Sequence, residues 1–102
     1  MKKTNKSIRE NILETAIGLT TGDRNKAYGD PYNNLLIQAN MINNYLYARF
    51  PEKEIELTPQ DIAMVYVLGK VTRIGLNPSH EDSHIDGAAY LAIAYECNQK
   101  ED

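Results

Sequence analysis

The segment TGDRNKAYGDP, residues 21 to 31, carries more charged and aromatic side chains than a turn needs. Gly22 and Gly29 suit turns, and Asp30 before a proline suits the first residue of a helix. Asp30 also remains a candidate ligand for the site. Cationic side chains neutralise phosphate, and a tyrosine ring stacks on a base. The segment therefore offers three side chains for a phosphorylated, base-bearing ligand: Arg24, Lys26 and Tyr28.

Two cations, Lys70 and Arg73, stand three residues apart on one side of an otherwise apolar helix. In one interpretation Lys70 extends to water and Arg73 pairs with Asp82 or Asp86. In the other, the arginine fork and the lysine charge together hold a phosphate or pyrophosphate. A charge in an apolar setting is costly without an anion, which favours the second interpretation.

A polar cluster, SHEDSHID, opens the last predicted helix. Asp82 and Asp86 are four residues apart, so they share a face and could hold Mg²⁺, although acids are also favoured in a first helical turn. His80 and His84 share the same spacing, but the other ligands of a zinc site are missing, and His84 is kept as a ligand-binding candidate. Cys97 has no partner base that would make it a nucleophile.

The apolar positions recur at helical spacing, which predicts an all-α, single-domain bundle of about four helices. The first helix opens at Ser7 with a capping box and ends near Gly22. The second starts at Asp30 and closes at Phe50. The third, PQDIAMVYVLGKVTRIG, is apolar on all sides in its middle and is expected to be the central, most buried helix. The fourth follows NPSHED, and its small residues permit close approach by another helix, within the bundle or across a subunit interface.

Length, charge and composition limit the class of protein. The 102 residues fit one domain, with a flexible basic tail at 1–6, a helical domain at 7–98 and a short tail at 99–102. A net charge of -3 disfavours extended nucleic acid as a partner. One cysteine and the lack of a signal peptide or a membrane-length apolar run predict a cytoplasmic protein without a membrane partner. The small-residue helix predicts a homo-oligomer.

Three segments, GDRNKAYGDPYNN, TPQDIAMVYVLGKVTRIGLNP and EDSHIDGAAYLAIA, resemble a family of small helical proteins of unknown function encoded mainly by phages and prophages. That family is distantly similar to the all-α nucleoside triphosphate pyrophosphatases of the MazG type. The resemblance implies a nucleotide ligand and magnesium held by acidic residues on two helices. Here the second helix, PYNNLLIQANMINNYL, has amides such as Asn34 but no carboxylate, and amides are poor substitutes for ionised magnesium ligands.

Three functions follow as hypotheses. In the first, the protein binds and sequesters a phosphorylated nucleotide, such as a host immune signal, without cleaving it and without a cofactor. In the second, it is a Mg²⁺-dependent nucleotide pyrophosphohydrolase whose metal is held by Asp82, Asp86 and Asp30. In the third, it is a helical adaptor that binds a protein partner. The missing carboxylates favour the first.

Overall fold

Four α-helices make up the described part of the chain. The computed structural model describes residues 6–22 and 29–101, and no strand occurs among them. The helices are α1 (Ile8–Thr20), α2 (Pro31–Arg49), α3 (Pro59–Leu76) and α4 (Glu81–Lys100). The predicted all-α fold is confirmed. Within the described residues, no helix is long and apolar enough to cross a membrane.

The helix starts follow local sequence signals. Ser7 at α1 and Thr58 at α3 each form a capping box with an acid three residues on, as the sequence of α1 predicts. Asp30 occupies the N-cap of α2, but within the described residues its side chain does not cap the helix. Its carboxylate lies 3.6 Å from Lys100 Nζ instead, because a cation at the end of α4 offers a charged partner.

The bundle is organised around α3 and α4, which make the most extensive interhelical contact. Helix α1 packs on α4, while α2 packs on α3 and, less extensively, on α4. The main core lies where α2, α3 and α4 meet, and it is built from Leu35, Ala39, Ile62, Ala63, Ala94 and Cys97. A smaller cluster of Ala16, Ile85 and Ala89 fastens α1 to α4.

The small residues of α4 serve packing within the chain. Ala89 and Ala94 are buried in the two clusters. A Cβ atom added at Gly87 would lie 3.8 Å from Lys70 Cβ, so α3 covers this part of α4. Gly87 and Ala94 therefore permit the close α3–α4 contact inside one chain, and Ala89 permits the contact of α4 with α1.

Helix α3 was expected to be the most buried helix, and it is buried on one side only. Ile62, Ala63 and Val67 face α4 and α2 and are at most 7% exposed. Val65 and Leu68, on the opposite side, are 55% and 61% exposed. Within residues 6–22 and 29–101, an apolar side of the central helix is thus exposed.

One asparagine fixes the connection between α2 and α3. Asn43 Nδ2 donates to Leu57 O at 2.9 Å, and Leu57 N donates to Asn43 Oδ1 at 2.7 Å. The side chain therefore satisfies both backbone groups of a half-buried residue that packs on the main core. This positions the start of α3 relative to α2.

We expect Asn43→Ala to lower the free energy of unfolding by about 1–3 kcal/mol, because it removes the partners of two backbone groups in a half-buried setting. The matched control is Asn44→Ala, whose side chain is exposed and makes no hydrogen bond among the described residues; its effect should stay within about 0.5 kcal/mol. Urea denaturation of both variants at one protein concentration measures the difference. Equal losses in the two variants would contradict this role of Asn43.

Candidate functional site

A cleft of about 190 Å³ lies where the end of α1, the start of α2 and the middles of α3 and α4 converge. Thr20, in the last turn of α1, and Gly29, just before α2, both line it. The remaining wall is part aromatic, part amide and part aliphatic, formed by Leu19, Pro31, Asn34, Leu35, Gln38, Tyr66, Tyr90 and Ile93.

Two stacked tyrosines form one wall of the cleft. The ring centroids of Tyr66 and Tyr90 are 4.9 Å apart and their planes differ by 13°. Tyr66 is 37% exposed, so part of this ring can still accept a further planar group. Aromatic pairs favour such stacked geometry, and a tyrosine face is also a suitable surface for a heterocyclic base.

A chain of hydrogen bonds joins the tyrosines to α2. The Tyr66 hydroxyl donates to Gln38 Oε1 at 2.6 Å, and Gln38 Nε2 donates to Asn34 Oδ1 at 2.6 Å. Each primary amide carries two N–H groups. Among the described residues, Asn34 therefore keeps both of its donors and Gln38 keeps one. These N–H groups lie at the cleft wall, where they can meet acceptor atoms of a ligand.

The two predicted cations lie on the same side of α3 as Tyr66. Lys70 and Arg73 follow it by four and seven residues, which places them about 6 and 10 Å further along the helix axis. Lys70 Nζ lies 3.3 Å from Asp86 Oδ2, and its side chain is only 17% exposed. No ion pair of the described residues includes Arg73. The structure thus assigns Lys70 to an ion pair and leaves Arg73 at the surface.

Asp30 and His84, two other candidates, lie elsewhere. Asp30 lines a neighbouring cleft of about 250 Å³, which Glu96 also lines, and pairs with Lys100. His84 Nε2 lies 2.9 Å from Pro78 O and borders a separate surface cleft at the start of α1. Arg24, Lys26 and Tyr28 fall outside the described residues. Asn34 is a predicted candidate that lines the cleft beside Tyr66 and Tyr90, which we call the tyrosine cleft.

The acidic and histidine cluster at the start of α4 is dispersed. Asp82 is exposed, Asp86 pairs with Lys70, and His80 Nδ1 lies 2.8 Å from the buried Ser83 hydroxyl. No group of three or more His, Cys, Asp or Glu side chains suited to one metal ion occurs within residues 6–22 and 29–101. The ion-pair partner of Asp30 is Lys100, at the opposite end of α4 from Asp82 and Asp86. The structure does not bring Asp30 to the Asp82–Asp86 pair.

With this geometry established, comparison with known proteins identifies the family. The model of a domain of unknown function, DUF6378, matches residues 11–98. The chain belongs to the DUF6378 family. The matched range of this DUF6378 chain includes all of α2 and α3 and most of α1 and α4, so the whole tyrosine cleft lies within it.

Two phage proteins are similar to this DUF6378 chain. The Gene 55 protein of Mycobacterium phage D29 is 37% identical over 81 residues, which cover 79% of this chain and 49% of that protein. The Gene 55 protein of Mycobacterium phage L5 is 31% identical over 91 residues, covering 89% and 54%. The chain thus spans about half the length of these curated relatives. They confirm the resemblance to a phage-encoded family, and no solved structure matches the chain.

Three cleft residues of this DUF6378 chain were not among the predicted site residues. Tyr66, Tyr90 and Gln38 line the cleft together with the predicted Asn34. Tyr66 precedes Lys70 by one helical turn, and Tyr90 follows Asp86 by one turn. The available signal was that each tyrosine lies four residues from a candidate charged residue. An aromatic side chain at helical spacing, however, usually belongs to the packed interior.

Cys97 lies in the main core and is fully buried. Burial raises the pKa of the Cys97 thiol above its ordinary value of 9.0, and the negative charges of Glu101, Glu96 and Asp30 add to the rise while Lys100 opposes it. The thiolate is the reactive form, so both access and charge disfavour a nucleophilic role.

We expect Cys97 of the folded DUF6378 chain to resist alkylation by iodoacetamide and to react rapidly in denaturant. Because its folded pKa is raised, the native state retains the thiol proton at a pH where the unfolded chain ionises. Stability from this group is present below pH 9.0 and decreases as the pH rises through the folded pKa. Mass spectrometry of labelled protein measures the reaction. Labelling of the native chain at the rate of the denatured chain would contradict this burial.

Proposed function

We propose that this chain captures a phosphorylated nucleotide and does not cleave it. The observation that supports the proposal is the cleft in which the Tyr66–Tyr90 stack adjoins the amides of Asn34 and Gln38. An aromatic face binds any base by stacking, and amide N–H groups at its edge meet ring nitrogens and carbonyl oxygens. This combination suits a heterocyclic base better than it suits an aliphatic or sugar ligand.

The size of the cleft limits which part of the ligand it holds. Its volume of about 190 Å³ is below the ~300–1,000 Å³ usual for pockets that enclose a drug-sized molecule. One planar ring system fits such a volume, and the remainder of a nucleotide must extend along the surface. The proposal therefore has the base in the cleft and the phosphates outside it.

Cations lie in the direction that the phosphates would take. Arg73 and Lys70 follow Tyr66 along one side of α3, at about 10 and 6 Å of helical rise. Arg73 presents a fork of donors that matches phosphate oxygens, and the Lys70 ammonium keeps donors beyond the one that faces Asp86. In this proposal Asp86 holds Lys70 in position. Arg24, Lys26 and Tyr28 are proposed to contribute to the site because two cations and an aromatic ring suit a phosphorylated, base-bearing ligand.

Capture is favoured over hydrolysis by the chemistry of α2. Its sequence supplies six Asn and Gln side chains between Asn33 and Asn44 and no carboxylate, so it lacks the ionised ligands that a magnesium-dependent mechanism needs around a triphosphate. Asp86, the deeper of the two acids on α4, faces Lys70. The resemblance to phage proteins makes a host immune nucleotide signal a suitable ligand, since binding alone would withdraw such a signal.

The proposal predicts that the purified chain retains a nucleotide, which mass spectrometry of the heat-released small molecules should detect intact. Isothermal calorimetry against nucleoside mono-, di- and triphosphates and cyclic dinucleotides then gives the affinities. We expect Tyr66→Leu to weaken binding about 10-fold or more, since loss of base stacking costs about 1–3 kcal/mol. Arg73→Gln should weaken phosphorylated ligands more than the free nucleoside.

Tyr95→Leu provides the matched control, because Tyr95 is 66% exposed on α4 and does not line the cleft. Its affinity should equal that of the parent chain. The proposal fails if no member of the panel binds, or if Tyr66→Leu and Tyr95→Leu behave alike. Release of a nucleoside monophosphate from a triphosphate in the presence of Mg²⁺ would instead support the hydrolase hypothesis.

A further inference from the structure

Helix α3 has an apolar face that none of the other three described helices covers. We call the residues Val65, Leu68, Gly69, Thr72 and Leu76 the outer face of α3. Their spacings of three and four residues place them on one side of the helix, opposite the buried Ile62, Ala63 and Val67. The three large members, Val65, Leu68 and Leu76, are 55%, 61% and 84% exposed.

The outer face has the properties of a helix-packing surface. It contains no charged residue, and it extends over about three turns of α3. A Cβ atom added at Gly69 would meet nothing within 4 Å, so the backbone of another helix can approach closely there. A helix that is apolar all round normally has a partner on every side. Within one chain, α3 has partners only on the side of α2 and α4.

The chain exposes more surface than a compact monomer of the same mass, so a partner has surface to cover. The chain exposes 7,826 Å², whereas a compact monomer of 11.5 kDa should expose about 5,800 Å². The radius of gyration is 16.3 Å, against about 13 Å for a compact domain of this length. The excess of about 2,000 Å² is comparable with the ~1,000–2,500 Å² that each subunit of an obligate homodimer buries. It is shared among the exposed apolar residues of all four helices, of which the outer face of α3 is one part.

We infer that the outer face of α3 is the contact with a second copy of this chain. The two α3 helices cross antiparallel about a two-fold axis at Leu68 and Gly69, which lie midway between Val65 and Thr72. Val65 of each copy then meets Thr72 of the other, and Leu68 packs beside the opposing Gly69. An uncharged face is complementary to itself, because pairing two copies brings no like charges together. This contact completes the burial of α3.

The proposed contact does not involve the small residues of α4, which were predicted to pack either within the bundle or across a subunit interface. Three of those residues pack inside the chain. The signal for α3 was its apolar character on all sides, which was interpreted as burial within a single bundle. A second copy supplies the missing partner and reconciles that sequence pattern with the exposure of the helix.

Two variants at equally exposed positions test the inference. Leu68 and Ile17 are each 61% exposed, but Ile17 lies on α1, which packs on α4 and not on α3. Sedimentation velocity of the parent chain should give the mass of two chains or a multiple of two. Leu68→Glu should shift the chain to monomer with its helical circular dichroism intact, and Ile17→Glu should keep the parent mass. Neither position lines the tyrosine cleft, so nucleotide binding is tested separately.

A cysteine substitution provides the second measurement in case Leu68→Glu does not fold. Leu68→Cys should form a covalent dimer under mild oxidation, because the two-fold axis passes beside residue 68, whereas Ile17→Cys should not. The natural Cys97 is buried and does not interfere. If the parent chain is monomeric, the inference is overturned, because the outer face of α3 then does not contact a second copy. A parent dimer that Leu68→Glu leaves intact, or cross-linking that is equal at positions 68 and 17, would also overturn it.

Discussion

The close antiparallel packing of α3 on α4 is the constraint on which the other features depend. Small buried residues, Ala63 on α3 and Ala94 on α4, let the two helices approach. This contact places Tyr66 on Tyr90 and, one turn along, Lys70 on Asp86. The aromatic wall of the cleft and the position of the cations are therefore consequences of one helix pair. Helices α1 and α2 complete the cleft by packing against that pair at its ends.

Local sequence signals were sufficient to predict where the helices begin. They did not predict which residues of different helices contact each other. The capping boxes at Ser7 and Thr58 depend on residues within one turn, so the sequence alone reveals them. Asp30 was predicted to cap α2, but its partner is Lys100, seventy residues away in the chain. Such a pairing exists only after α4 has packed beside α2, and no local pattern specifies it.

The same distinction separates the predicted site residues from those that were missed. Asn34 was identified from the amide-rich character of α2 and lies in the cleft. Tyr66 and Tyr90 were interpreted as packing because helical spacing cannot show which tyrosines from two helices will stack. The exposure of Leu68 was equally unpredictable, because an all-round apolar helix looks the same whether its partners come from one chain or two.

The two proposals place ligand binding and self-association on different sides of α3. Tyr66, Lys70 and Arg73 lie on the side facing the cleft and α4, whereas Val65 and Leu68 lie on the outer face. One helix would then serve both roles, with rigid packing on the second copy holding the binding side in a fixed geometry. This division explains why the middle of α3 is apolar on all sides. It also explains why the two cations, Lys70 and Arg73, lie on the same side of the helix as Tyr66.

The most direct test of the central claim is aromatic NMR of tyrosine-labelled protein during titration with the nucleotide that calorimetry selects. Capture in the cleft predicts that the ring signals of Tyr66 and Tyr90 shift in proportion to bound ligand. The rings of Tyr45 and Tyr95, which are 65% and 66% exposed elsewhere, should remain unchanged. Saturable binding that leaves both cleft tyrosines unshifted would contradict the account.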